Sequence, residues 1–419
     1  MQSNLFEYRL ADANDQIPAS AVVDFKIRTS IHTSYPTGEL LLEDPEGRVL
    51  SELMIRPGAI LQIVAISNES ELAGSTYPIT PMVIVGVESA DNENDLQITM
   101  LDDQLPSRTG ALGGHVRIHL AHPWGVFTDW RNRAFSKKII SDIVTEIANE
   151  EARGFQFESV DIGATDDTAD GPNRYKLQES EPAFIARKLL PYASIDSSAV
   201  YSFVNEKHEF FFQNFRYLYD QDSVISIVPA MQETASTDSA IDLSELENIH
   251  HITDGRWIIG NQFKDQLGAL RKFIFIDDSE SRVSYRILAS YKPSLPGYTL
   301  LKQGFVNSSI ALSAETHPFR PLADAIRLAT NRNGVMNEFF EIDVTTTTCF
   351  DVAAVGYPAQ LRLVQSKPNQ KHWADGKWLI TQSEHGQIGG APYSKLRLSR
   401  PAIDSLPDAL DPQEFYKVG

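Results

Sequence analysis

The chain has 419 residues, with 37 Lys and Arg against 56 Asp and Glu, giving a formal net charge of −19 at pH 7. That balance argues against a strongly basic nucleic-acid binder, because phosphate binding rests on an excess of Lys and Arg. A single cysteine, Cys349, excludes a disulfide scaffold, and no run approaches the roughly 20 apolar residues of a membrane-spanning helix.

At about 150 residues per domain, the length predicts two or three domains. Residues 1–18 carry no basic segment followed by an apolar run, so no secretory signal is expected. Cys349 reads as a small buried hydrophobe in a reducing compartment. From residue 21 the chain is strand-rich. Short β-branched and apolar runs fall at 21–28, 60–66, 82–88, 96–101 and 115–120. Turn clusters such as Asp44-Pro45-Glu46-Gly47 and Arg56-Pro57-Gly58 separate them. That spacing predicts an antiparallel barrel or sandwich.

The pattern changes after Pro123. Ser136 stands where it would cap a helix, and Ile139, Ile140, Ile143, Val144 and Ile147 trace one helical face, with Gly154 as the stop. The polar stretch at 163–172, with three aspartates, is expected as a flexible loop. A short strand at 175–178 precedes a second helix opened by Glu181-Pro182. Phe184, Ile185, Leu189 and Leu190 form its buried stripe. Strands at 199–204 and 209–214, joined by 205–208, complete an α+β insert over 123–220. Phe210-Phe211-Phe212 leaves two readings open: a strand buried on both faces, or one aromatic face turned to a partner.

The chain then returns to β. Strands are expected at 223–228, 339–348, 360–364, 377–384 and 394–400, with a hairpin from 271–276 to 282–288. An acidic loop lies at 229–248, a helix at 320–331, and a polar, proline-bearing C-terminal arm at 402–419. A weak internal repeat links the two ends. Residues 57–64 (PGAILQIV) align with 357–364 (YPAQLRLV), and each run leads through a loop to two further strands. Two copies of one β-module are therefore expected. The first spans 1–122 and is completed by about 221–255. The second spans 256–401.

The candidate chemistry is sparse. His115 and His119 share a strand face but His122 falls on the other, and no Cys joins them, so a zinc site is not supported. His250 and His251 are neighbours and diverge on any strand. Gly110–Gly114 (GALGG) lacks the lysine of a phosphate loop, and Gly386–Gly390 (GQIGG) reads as a hairpin tip. Asp102-Asp103 and Asp277-Asp278 read as exposed turns. Catalytic, cofactor-binding and metal-binding residues are assigned as none, and no cofactor is expected.

Three segments together resemble a known family. They are RYKLQESEPAFI at 174–185 with HEFFF at 208–212, the module at 358–364 with GKWLI at 376–380 and His385, and PYSKLRLSR at 392–400. They are similar to the baseplate hubs of contractile phage tails and to the hub part of type VI secretion spike proteins. The resemblance implies a mainly β fold of two tail-tube-like antiparallel β-barrel modules plus an α+β domain. It also implies a homotrimeric, non-enzymatic hub with pseudo-six-fold symmetry, which joins the tail tube to the central spike and lets DNA pass as cargo. Expected partners are the spike, the tail tube or a tube-initiator protein, baseplate wedge proteins and the tape measure protein. Expected location is the virion tail baseplate, assembled in the host cytoplasm. The chain stops soon after Arg400, so the spike is expected as a separate chain, and no length remains for a fused lysozyme. The alternative is a tail-associated cell-wall or glycan hydrolase, which needs two carboxylates set apart in a cleft.

Overall fold

The structure, a computed structural model, describes residues 6–10, 16–44, 53, 55–66, 76–78, 81–89, 114–127, 133–150, 155–167, 174–229, 248–259, 272–276, 284–288, 314–318, 327, 331, 333–338, 340–346, 353–363 and 372–401. The expected strand at 96–101, Cys349 and the arm at 402–419 lie outside them.

The first unit contains β1 (Phe6–Leu10), β2 (Gln16–Ile17), β3 (Val22–Ser30), β4 (Thr37–Glu43), β5 (Ile60–Ile66), β6 (Thr76–Pro78), β7 (Met82–Ser89) and β8 (His115–Ala121). Their order is β2-β1-β5-β7-β8-β4-β3, with β6 against β5. Alternate residues point inward, as the two-residue period of a strand requires. Phe25 and Ile27, Leu40 and Leu42, and Val116, Ile118 and Leu120 are buried together. The sheet curls until Tyr8 of β1 meets Phe25 of β3 edge-on, with ring centroids 5.4 Å apart.

The insert follows as α1 (Pro123–Val126), β9 (Arg133–Ser136), α2 (Ile140–Ala148), β10 (Ser159–Ile162), β11 (Arg174–Leu177), α3 (Glu181–Phe184), β12 (Val200–Val204), β13 (Glu209–Asn214) and α4 (Phe215–Asp220). Helix α2 buries Ile140, Ile143, Val144 and Ile147, the face that periodicity predicts. Its start differs from expectation. Ser136 pairs with Arg174 at the end of β9, and Lys137 turns the chain with φ 56°. The first helical amides are satisfied from elsewhere in the chain. Asp167 Oδ2 accepts from the Ile140 amide at 2.9 Å, and Thr165 Oγ1 from the Ser141 amide at 3.1 Å. Asp166 accepts from the Ser194 hydroxyl and the Ser197 amide, both at 2.8 Å. So residues 163–167, expected to be flexible, are an ordered cap, while 168–172 lie outside the described residues.

The second unit contains β14 (Ile225–Pro229), β15 (Ile249–Ile259), β16 (Lys272–Ile276), β17 (Ser284–Leu288), β18 (Ala314–Pro318), β19 (Phe340–Thr346), β20 (Pro358–Leu361), β21 (Gly376–Ile388) and β22 (Ala391–Arg400). Strands β21-β20-β14-β15-β19-β22 close a barrel through the β21–β22 pair. The hairpin expected near 271–288 is present as antiparallel β16 and β17, with β18 beside β16. Of the helix expected at 320–331, only Arg327 and Asn331 are described, both helical. Asn331 Oδ1 accepts from the Val200 amide at 2.9 Å, fastening this segment to the insert.

One boundary is corrected. Residues 221–255 were expected to complete the first module, but β14 pairs with β20 and β15 with β19. Ile225 and Ile227 belong to the second core. An alternating apolar pattern makes a strand but does not name its neighbour, and the N-terminal β1 takes the position beside β5 in the first module.

The repeat is real, and it extends further than the sequence shows. Strand order β5-β7-β8-β4-β3 recurs as β20-β21-β22-β19-β15. The Gly58 amide donates to Ile84 and the Ile84 amide to Ala59, at 2.8 and 2.9 Å. In the second copy Gly356 donates to Ile380 and Ile380 to Tyr357, both at 3.0 Å. Gly58 and Gly356 share a left-handed backbone, with φ 93° and 94°. A bulge follows Ile84 and another follows Ile380. A second pair of bulges sits between Val22 and Asp24 and between Ile252 and Asp254. Surface ion pairs repeat too: Lys26–Glu39 with Arg256–Asp343, and Arg117–Glu88 with Lys395–Glu384. Gly58 thus corresponds to Gly356, not Pro358. The sequence alignment was two residues out of step, which keeps the same strand face.

Candidate functional site

The two barrels meet along one strand. The first part of β21, Gly376 to Leu379, pairs with β20, and the second, Gln382 to Ile388, pairs with β3. Backbone hydrogen bonds therefore run without a break from one barrel into the other. Arg28 Nε meets Glu384 Oε2 at 2.6 Å across this seam.

The insert is pressed into the same place. All of Phe210, Phe211 and Phe212 are buried, so the strand is buried on both faces. Phe210 and Phe212 pack in the insert core, and Phe211 packs in the core of the second barrel. At the tip of the β12–β13 hairpin, Glu206 enters the seam. Its Oε2 accepts from the Val355 amide at 3.0 Å, and its Oε1 accepts from the Ser383 hydroxyl. His385 Nε2 lies 3.8 Å from Glu206 Oε1, and its Nδ1 lies 2.8 Å from Ser394 Oγ. Burial pushes the Glu206 carboxyl up to about 7, against the opposing backbone hydrogen bonds. Burial also pulls His385 down to about 4, despite Glu384 nearby. Burial thus favours the uncharged form of both groups, the protonated carboxyl of Glu206 and the neutral imidazole of His385.

Beside the seam lies a cleft of about 760 Å³, lined by Arg28, His32, Arg256, Asp343, Glu384 and Arg397 among others. Its chemistry is that of closed ion pairs. Arg256 and Arg397 both hold Asp343, at 2.8 and 2.7 Å. Arg28 and Lys395 both hold Glu384, at 2.6 and 3.2 Å. Burial alone would raise both carboxyls, but these hydrogen bonds outweigh it and hold them below their ordinary values. A carboxylate fixed between two cations is a poor proton donor, so this pair does not supply the general acid a glycosidase requires.

The remaining histidines are placed as follows. His115 and His119 sit on β8, and His119 Nε2 lies 3.1 Å from Glu88. His122 is buried elsewhere: its Nδ1 accepts from the Trp124 amide at 3.1 Å, and its Nε2 lies 2.6 Å from His208 Nδ1. His251 Nδ1 lies 3.3 Å from the Pro229 carbonyl oxygen. Among the described residues no group of three metal-ligating side chains converges. No described helix is long and apolar enough to cross a membrane. Of Gly386–Gly390, expected as a hairpin tip, only Gly389 and Gly390 form the tip, both at positive φ between β21 and β22, while residues 386–388 belong to strand β21. Residues 102–103, 110–113 and 277–278 lie outside the described residues. Sequence reasoning missed Glu206 and its seam partners. Glu206 lies in the polar turn Asn205-Glu206-Lys207-His208, which reads as an ordinary exposed hairpin turn and gives no local signal of burial.

No family model and no curated protein matches the chain. Solved structures do. A tail protein from Neisseria meningitidis MC58 superposes with TM-score 0.52 at 8% identity, over 94% of this chain and 96% of the other. The 43 kDa tail protein of prophage MuSo2 from Shewanella oneidensis does so with TM-score 0.50 at 10% identity, over 96% and 100%. A component of the E. coli type VI secretion system, structurally similar to T4 bacteriophage tail proteins, gives TM-score 0.47 at 9% identity, over 96% and 80%. The fold assignment rests on the first two. The chain has the mainly β fold of phage tail proteins. It is similar to phage tail proteins, in line with the resemblance carried by its sequence segments.

Proposed function

We propose that this chain is the structural hub of a phage-type tail baseplate, a homotrimer that joins the tail tube to the central spike. The observation that carries the reading is the duplicated five-strand module fused into one continuous sheet. A chain with two equivalent modules converts three subunits into six quasi-equivalent positions, which matches a three-fold spike to a six-fold tube. In this reading the modules are residues 1–122 and 225–401, the insert is 123–220, and 402–419 is an arm. The insert faces wedge proteins, while the tube or tube-initiator and tape measure proteins meet the ring itself. The protein acts without catalysis, in the virion tail after assembly in the host cytoplasm.

The net charge of −19 then acquires a use. An acidic channel wall repels phosphate, so DNA passes without sticking. Sedimentation at tens of micromolar, alone and with spike and tube proteins added, tests the assembly. A trimer of about 140 kDa, three times the 46.8 kDa chain, is expected. A strict monomer under every condition would overturn the reading.

A further inference from the structure

The β12–β13 hairpin is the piece of the insert that touches both barrels. Tyr201, Phe203 and Phe211 lie in the core of the second barrel, while Val204, Phe210 and Phe212 lie in the core of the insert. The Val204 amide donates at 3.1 Å to the carbonyl oxygen of Ser34, in the turn between β3 and β4 of the first barrel. An ionisable contact sits at each end of this hairpin.

The first contact is at its base. His32, from the β3–β4 turn, places Nε2 2.6 Å from Oε1 of Glu338, which is fully buried. The Tyr201 ring stands edge-on to His32, with centroids 5.9 Å apart. Its hydroxyl donates to the Gly334 carbonyl oxygen at 2.8 Å and accepts from Asn337 Nδ2 at 3.1 Å. First barrel, insert and second unit thus meet at one imidazole. The charged groups facing it are Glu338, Glu341 and Arg397. Burial alone would lower His32, but the charge and hydrogen bond of Glu338 outweigh it and hold the imidazole above its ordinary value.

The second contact is at the hairpin tip, where Glu206 reaches the Val355 amide and the Ser383 hydroxyl. Lys207 on the hairpin and His385 on β21 face it, and Thr29 of β3 adds a hydrogen bond. Both contacts depend on a proton. A neutral imidazole no longer offsets the Glu338 charge, and an ionised Glu206 is a charge held away from water.

We infer that these two contacts form a proton-dependent clamp: with both protons in place the hairpin is docked, and their loss lets it open locally while the barrels stay folded. Both ends respond in the same direction. Each group holds its proton more tightly docked than open, so docking is favoured at low pH and weakens as pH rises. His32 contributes in full below 6.5 and loses its contribution as pH climbs past its raised value, while the Glu206 contribution is lost as pH rises to about 7. For Glu206 alone, values of 4.5 when open and about 7 when docked make the opened fraction about ten-fold larger at pH 8 than at pH 6. Such openings are smaller than unfolding. The clamp lies within one chain and does not rest on the hub reading.

Hydrogen–deuterium exchange on the full chain, corrected for the pH dependence of chemical exchange, tests the clamp. Peptides from the β12–β13 hairpin should lose at least ten-fold in protection between pH 6 and 8. At pH 8 peptides from α2 and β4 should exchange at least ten-fold more slowly than the hairpin. Glu206→Gln should cut the hairpin's loss by about ten-fold, and adding His32→Gln should leave its protection constant across the range. Flat protection in the native chain would overturn the clamp. So would a loss undiminished in Glu206→Gln, or one common exchange rate for the hairpin, α2 and β4 at pH 8.

Discussion

A Cβ atom built on Gly386 would lie 2.2 Å from the carbonyl oxygen of Phe25, on the facing strand of the seam. That gap has room for hydrogen alone. Gly386→Ala should therefore part β21 from β3 and destabilise the chain by about 1–3 kcal/mol, the usual cost of forcing extra atoms into a closed contact. Denaturant titration followed by tryptophan fluorescence measures this. The loss should also split one unfolding transition into two, as the barrels lose their shared strand.

The glycines that open the repeated strands should separate in severity. Gly58→Ala and Gly356→Ala both place a side chain at positive φ, which costs about 1–2 kcal/mol. Gly356→Ala also drives a Cβ to 2.8 Å from the Phe203 ring, while Gly58→Ala meets nothing within 4 Å. Midpoints of denaturation should fall further for Gly356→Ala.

Glu206 predicts a pH-dependent gain. Its folded-state carboxyl is raised to about 7, so the folded chain holds a proton that the unfolded chain releases above about 4.5. Its contribution is present at low pH and lost as pH rises to 7. Glu206→Gln keeps an oxygen for the Val355 amide and removes the ionisation. It should stabilise the protein by about 3 kcal/mol at pH 8, at roughly 1.4 kcal/mol per pKa unit. At pH 4 the effect should be near zero. Equal effects at both values would contradict the assignment.

The His122–His208 pair predicts the opposite slope. Burial lowers both imidazoles, and His208 also pulls His122 down by charge repulsion. The folded chain keeps them neutral, so their contribution is full above 6.5 and is lost as pH falls below it. His122→Asn retains an acceptor for the Trp124 amide. It should flatten the fall in stability between pH 6.5 and 5, measured by thermal melts across that range.

Legibility in the sequence followed distance along the chain. The α2 face from Ile140 to Ile147 was readable because the helical period repeats within nine residues. The β12–β13 hairpin was readable because its turn is local. The α2 cap was not, since Asp167 stands 27 residues from the amide it serves. Nor was the seam, where Glu206 and Ser383 are 177 positions apart. The parallel pairing of β14 with β20 was equally hidden, because alternation carries no record of strand direction. The repeat was visible only where two strands kept similar residues. Its bulges and ion pairs emerged once registers could be compared.

Low-resolution imaging of the purified protein, alone and with its spike, tests whether it is a trimeric hub. A three-fold particle is expected, with six lobes around a hole and inserts projecting outward. A compact particle without a central opening, or a ring with any other number of lobes, would contradict it.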